Sequence, residues 1–422
     1  MAQDILSVAI KLDSQLAAAS RPPPSLGVDF AEGLPADIEA TRADLVDKLH
    51  EAKRFGLGSR GTLWEMGFQF TDEMTLRAIY EFRLAHHVPL DSSATFDEVS
   101  KASGLSLALT ERLIRQAMAS HIFTEAPDQP GHVIHTATSR LLATDADAMD
   151  AIGMLTEDLS PACNRFDEAV RQWGIGACSG NGEPHHAASA FVHDGAGMFD
   201  FLAKHPDRGR RFSAGMRYFG RGSGWDLEHL VKSYPWHDVD VAGATFVDIG
   251  GGYGTVSQVL AASTNHIKFL VQDLPHTVKQ GAAALPNPLR SRIFFEEHDF
   301  LTPQTHKGTD VFFLRWILHN WGDQNALQIL RSLIPGMKHG TRVVIYEFVL
   351  SNGPETKLSR KQPRNLDLVM LACWNSPERT ESMWKELIGR VDTRLKFVGV
   401  RGSEGSLMSV IEAVWEDQTE TS

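Results

Sequence analysis

Apolar residues recur at helical spacing over the first 20 positions: Ile5, Val8, Leu12 and Leu16 put one greasy face on an opening helix. Pro22, Pro23 and Pro24 then break the chain and form a short stiff linker. A second amphipathic stretch covers residues 37–53, with Ile38, Leu45 and Leu49 on one side. Stripes of this kind bury either against their own domain or against another subunit. A small domain cannot cover all of them, so they are expected at a two-fold interface between copies of the chain.

From 71 to 140 the pattern is sharper. A helix over 73–86 is followed by a short segment at 96–100 and a turn at Gly104-Leu105-Ser106. A further helix over 107–120 has Leu109, Leu113, Ile114 and Met118 as its stripe. Two extended pieces, 122–124 and 133–136, flank a turn containing Pro127, Pro130 and Gly131. Helix, turn, helix and hairpin in that order predict a winged helix. Only Arg112 and Arg115 decorate its second helix, so it is expected to dimerise rather than read DNA.

Residues 145–235 read as helical and rich in aromatic residues, methionine and glycine. Most of these side chains suit core packing, and a subset suits the wall of an apolar pocket. His185, His186 and His193 lack cysteine or carboxylate company at ligand spacing, which argues for a loop or pocket rim and against a metal.

Beyond 243 the texture becomes alternating strand and helix. Short apolar strands are expected at 245–249, 267–272, 293–296, 310–316 and 342–348. Two more, at 396–400 and 407–414, share a glycine-rich link too short for a parallel crossover. The fold class is therefore α/β, a doubly wound, mostly parallel sheet with an antiparallel edge, behind an α-helical winged-helix domain. The expected division is 1–145 for the dimerisation domain, 146–235 for a helical pocket connector and 236–422 for the sheet domain.

Composition narrows the function. Acidic residues outnumber basic ones 53 to 41, a formal net charge of −12, which disfavours nucleic acid as a partner. Cys163, Cys178 and Cys373 are scattered, as in a reducing compartment. No apolar run is long enough to span a bilayer, and no signal-peptide pattern opens the chain, so a soluble cytoplasmic protein is expected.

Candidate chemistry starts at Asp248-Ile249-Gly250-Gly251-Gly252-Tyr253-Gly254. A dinucleotide fingerprint needs a third small residue where Thr255 stands. Glycines after an acidic strand end instead let the backbone pass under a ligand without a diphosphate. Asp273 ends the next strand, where a carboxylate can accept from both hydroxyls of a ribose.

These residues, with Gln272-Asp273-Leu274-Pro275, His298-Asp299-Phe300, the run from Leu314 to Trp321, Glu347 and Pro377-Glu378-Arg379-Thr380, resemble the S-adenosylmethionine-dependent O-methyltransferases of the caffeic-acid and flavonoid type. The fungal polyketide-pathway branch, with the sterigmatocystin O-methyltransferases, is the most similar. The resemblance implies S-adenosyl-L-methionine as cofactor. Asp248, Gly250 and Gly252 lie in its cradle, with Gly250 against the methionine part. Asp273 holds the ribose, Asp299 and Phe300 contact the adenine, and Arg315 sits where the family has a lysine beside the cofactor. It further implies His319 as general base toward a hydroxyl of a small aromatic or polyketide-derived metabolite, flanked by Glu347 and Glu378. A homodimer is implied too. Asn320 departs from the aspartate that often follows the base, and Asn375-Ser376-Pro377 from a glycine and a basic residue before the glutamate. A competing expectation keeps the cofactor without transfer, since some fungal relatives catalyse dehydrations or pericyclic ring closures.

Overall fold

A computed structural model describes residues 1–28, 33–174 and 183–417; Cys178 lies outside them. The chain divides into two compact units: Met1–Asn164 with Phe199–Ser223 and Lys357–Arg360, and Arg165–Met198 with Gly224–Thr356 and Lys361–Ser422.

The first unit is helical around a small sheet. Strands β1 (Ala94–Thr95), β2 (Phe123–Ala126) and β3 (Gln129–His135) pair antiparallel in the order β1-β3-β2. The helix Phe96–Ser103 opens on a capping box between Thr95 and Glu98 and closes on Gly104 at φ 74°. The helix Leu107–Ala119 starts on the Ser106 hydroxyl. Ile79, Phe96, Val99, Leu113, Ile114, Phe123 and Val133 fill the core of this winged helix. On its second helix Arg115 pairs with Glu111 at 3.0 Å and lies over the Phe96 ring.

The N-terminal helices correct one expectation. Leu12, Leu16, Leu34 and Ile38, with Leu45, form a cluster of their own, so most of that stripe is covered within the chain. The second helix runs Ala36–Gly67 rather than stopping near 53, with a break at Gly58 (φ 62°). Leu6, Ile10, Val46 and Leu49 stay exposed, and a denser run of exposed apolar side chains comes later, among them Phe55, Leu63, Trp64, Phe68, Phe70 and Met74. The periodicity beyond residue 53 is hard to read because polar and apolar positions do not separate there.

The second unit carries strands β4 (Thr245–Ile249), β5 (Lys268–Asp273), β6 (Ile293–Glu297), β7 (Thr309–Arg315), β8 (Met337–Glu347), β9 (Leu395–Arg401) and β10 (Ser409–Trp415). Their order is β6-β5-β4-β7-β8-β10-β9, parallel except that β10 runs antiparallel to both β8 and β9. Apolar residues cover both faces. Phe246, Phe269, Phe313, Val344 and Tyr346 pack into one core, and Val247, Phe312, Leu314, Val343 and Ile345 into the other. The order reverses between β4 and its neighbours β5 and β7, and ligands of open α/β sheets bind outside the carboxyl ends at such a reversal. No helix among the described residues is long and apolar enough to cross a membrane.

Candidate active site

At the carboxyl end of β4 the chain turns through Gly250, Gly252 and Gly254, all with positive φ (65°, 59° and 72°). A side chain at Gly250 would meet Ile317 Cδ1 at 2.5 Å, and one at Gly251 would meet Asp248 Cγ at 2.5 Å. At Gly252 nothing lies within 4 Å, so the backbone there faces open space. Asp248 is buried, accepts a hydrogen bond from the Ser257 hydroxyl at 2.7 Å, and has its pKa pushed up to about 6 by burial.

Asp273, half-buried at the end of β5, accepts from the N–H of Gly252 at 2.9 Å through Oδ2 and from that of Leu274 at 2.7 Å through Oδ1. Each oxygen keeps a lone pair, so the carboxylate has capacity left for two hydroxyls. Asp299 is exposed and accepts the N–H of Leu301 at 2.9 Å, while the Phe300 ring stands edge-on to Trp321. Arg315 ends β7 with its guanidinium 4.2 Å from the centre of the Trp316 ring. Its Nε is buried without a hydrogen-bond partner among the described residues, and burial lowers its pKa.

His319 lies in the turn after β7. Its Nδ1 is 2.8 Å from Oε1 of Glu378, a side chain almost wholly buried. An ionised carboxylate only accepts, so Nδ1 carries the hydrogen and Nε2 presents a bare lone pair. That nitrogen has no hydrogen-bond partner among the described residues. Burial opposes the imidazolium, but the charge and hydrogen bond of Glu378 outweigh it, aided by Glu347. The pKa therefore sits above the ordinary 6.5.

Glu347, at the end of β8, makes its hydrogen bonds to backbone. Its Oε1 accepts from the N–H groups of Ile317, Leu318 and His319 at 3.0, 2.7 and 3.3 Å. Burial pushes its pKa up.

Three participants were not singled out from sequence. Ser376 donates its hydroxyl to the His319 carbonyl at 2.6 Å. Arg379, buried and paired with Asp323, donates to the carbonyls of Leu318 and Trp321. Asp367 accepts the Glu378 N–H at 3.0 Å. The departures from the family pattern also find places. Asn320 donates to the Trp316 carbonyl at 2.8 Å, and Asn375 takes the left-handed conformation (φ 55°) that closes the helix Gln362–Trp374, where a glycine would be expected.

Among the described residues no group of three metal-ligating side chains occurs. His186 stacks on Trp173 at 5.3 Å, and Phe191 stacks on the same indole at 4.8 Å.

The family model for an O-methyltransferase domain matches residues 187–392, and that for an O-methyltransferase dimerisation domain matches 64–145. A chlorophenol O-methyltransferase of Trichoderma longibrachiatum is 34% identical over 99% of this chain and 90% of its own length. The O-methyltransferase gsfB of Penicillium aethiopicum is 31% identical over 94% of this chain and 92% of its own. Among solved structures, a pericyclic reaction enzyme superposes with a TM-score of 0.76 at 19% identity, covering 99% of this chain and 100% of that one. OxaC bound to SAH and oxaline gives 0.74 at 21% identity, covering 98% and 100%. At such identities the superpositions speak for the fold alone. The identity with the two fungal enzymes, sustained over nearly the whole chain, carries more: this chain belongs to the S-adenosylmethionine-dependent O-methyltransferase family.

Proposed function

We propose that the protein methylates a phenolic hydroxyl of an aromatic or polyketide-derived secondary metabolite, with His319 as general base. The observation that carries this reading is the His319 Nδ1 to Glu378 contact at 2.8 Å, which leaves Nε2 as a base at the carboxyl edge of the sheet. A phenol with a pKa of ~10 is mostly protonated at neutral pH and a poor nucleophile. S-adenosylmethionine, when bound, supplies an already activated methyl group, so the protein's task is the acceptor's proton. An imidazole with a pKa of ~6.5 falls ~3–4 units short of a phenol, a gap of roughly 4–5 kcal/mol. The Glu378 carboxylate narrows that gap by stabilising the imidazolium.

The cradle residues suit this cofactor. Asp248, Gly250 and Gly252 shape its floor, Asp273 accepts from the ribose hydroxyls, Asp299 and Phe300 lie at the adenine, and Arg315 stands beside it. Support comes from the spare lone pairs of Asp273, the open space over Gly252 and the buried unpartnered Nε of Arg315. The acceptor class draws on the chlorophenol O-methyltransferase and on a grayanic acid biosynthesis cluster O-methyltransferase of Cladonia grayi, 30% identical over 98% of this chain. Within the chain we assign dimerisation to 1–145, a connector facing the acceptor to 146–235 and cofactor binding to 236–422, in a cytoplasmic enzyme.

The test is mass spectrometry of a phenol panel, chlorophenols included, with and without S-adenosylmethionine. A gain of one methylene supports transfer. An isomer of unchanged mass or a loss of water would replace it with ring closure or dehydration.

The same reading includes a homodimer, supported by the dimerisation-domain match and by the exposed side chains from Phe55 to Met74. Light scattering should find twice the 46.6 kDa chain, and Trp64→Glu should shift it toward the single chain. A particle of one chain at micromolar concentration would refute the dimer.

A further inference from the structure

The turn that carries His319 is a single short 3-10 turn with few bonds of its own. Its only local side-chain bond among those described is from Asn320 to the Trp316 carbonyl. Its backbone adds two bonds, from the N–H of Asn320 to the Ile317 carbonyl at 3.2 Å and from that of Trp321 to the Leu318 carbonyl at 3.1 Å. The other hydrogen bonds come from two distant places. On the N–H side, Glu347 at the end of β8 takes three successive donors, from Ile317 to His319. On the carbonyl side, Arg379 Nη1 donates to Leu318 at 3.0 Å, Ser376 Oγ to His319 at 2.6 Å and Arg379 Nη2 to Trp321 at 2.9 Å. Ser376 and the Arg379 side chain are fully buried, so no water competes for these carbonyls.

The segment that supplies these donors also supplies Glu378, the ring's own partner. It is itself anchored: the Glu378 N–H donates to Asp367, the Arg379 carbonyl accepts from the Leu350 N–H at 3.0 Å, and the Arg379 charge is balanced by Asp323 at 2.9 Å. Residues 376, 378 and 379 therefore fix both the backbone beneath the imidazole and the carboxylate beside it. If the backbone clamp loosens, the ring and Glu378 lose their common frame, and a shift of ~1 Å at a reacting atom can cost up to ~10²-fold in rate.

We propose that Ser376 and Arg379 are positioning residues for His319, setting the aim of Nε2 and keeping Nδ1 on Glu378. The proposal rests on His319 being the base, but its first test does not need an acceptor. The full-length protein is labelled with ¹³C at histidine Cε1, and the His319 resonance is assigned by its loss in His319→Ala. Ser376→Ala should lower the His319 pKa toward the ordinary value, because Glu378 no longer holds the ring. Ser376→Cys, isosteric and a weaker donor, should fall between. Arg379→Lys, which keeps the charge but cannot span two carbonyls, should shift it in the same direction. An unchanged His319 titration in Ser376→Ala and Arg379→Lys, whatever happens to Tm, would overturn the proposal.

Kinetics then use the chlorophenol that shows turnover. Ser376→Ala should lower kcat roughly tenfold with the acceptor KM and the cofactor affinity nearly unchanged. In a His319→Ala background it should have no further effect. An equal loss in both backgrounds would mean a merely structural role and overturn the positioning. Full activity of His319→Ala would instead remove the base reading, leaving the NMR result to decide the geometry separately.

Discussion

Two turns lie against each other at the carboxyl edge of the sheet, and they solve the same geometric problem by opposite means. The loop Gly250–Gly254 after β4 reaches left-handed conformations by having no side chains to obstruct them. The turn after β7 begins with a left-handed residue as well, but that residue is Trp316 (φ 54°), where the conformation costs about 1–2 kcal/mol. It is offset by packing: the Trp225 ring edge-on at 5.6 Å, the Arg315 guanidinium at 4.2 Å, and the clamp of Glu347, Ser376 and Arg379. The glycine loop owes its left-handed conformations to its own residues and takes a side-chain bond from outside, from Gly252 N–H to Asp273. The base turn borrows its shape from side chains 28 to 61 positions away. A cradle needs room and backbone access, which small residues give locally. A base needs a fixed aim and a tuned charge, which only packed partners give.

The comparison is broken most decisively at the base itself. His319→Ala should lower turnover by about 10²–10⁴-fold while calorimetry finds the cofactor affinity nearly unchanged. A parallel loss of cofactor binding would mean the two turns do not divide the work in this way. On the cradle side, Asp273→Ala should weaken cofactor binding by about 1–3 kcal/mol, since hydroxyls are left without an acceptor. Unchanged affinity would remove Asp273 from the ribose site.

Gly250→Ala sharpens the contrast between a loop held by conformation and one held by contacts. It forces a side chain into φ 65° and against Ile317 Cδ1, so stability should drop by about 1–2 kcal/mol. Trimming Ile317 to alanine should relieve only the contact. Full recovery in the double variant would show that crowding, not the backbone conformation, selects glycine there.

The smallest effect is a displaced pH profile. His319 must be neutral to accept a proton, and its pKa lies above 6.5, so turnover should fall as pH drops through a value above 6.5. Glu378 raises that pKa, so Glu378→Gln should move the acid limb to lower pH while also slowing the reaction. The sign for stability runs the other way. A raised imidazole pKa contributes stability that is present below 6.5 and is lost as pH rises through the folded-state value. A limb that stays put in Glu378→Gln would mean that the charge beside the ring does not govern the base.

Much of this arrangement is visible in the order of residues. Alternating apolar runs gave the seven strands to within a few residues, because a strand covered on both faces must be apolar along its length. The link between β9 and β10 dictated an antiparallel pair, since a parallel crossover needs a dozen residues or more. Glycines after an acidic strand end, and a carboxylate at the next strand end, marked the cradle, because its requirements are local. By position alone the candidate base was a histidine following a strand, and it was the resemblance to the family's motifs that gave His319 its role and its two flanking glutamates.

What the tertiary structure decided is which groups act on that histidine and how. Glu347 and Glu378 are alike as letters, yet one accepts three backbone N–H groups and the other holds the ring, a distinction set by where β8 and the segment after residue 374 end. Ser376 and Arg379 gave no local signal, since a serine or arginine beside a glutamate usually faces water; burial against the carbonyls of Leu318, His319 and Trp321 is what gives them a task. The N-terminal stripe went the same way. Spacing showed that Leu12 and Leu16 would be covered, and packing alone determined that Leu34 and Ile38 of the same chain cover them. Periodicity reports that a surface must leave water, but the partner is chosen by contacts between residues far apart in the chain.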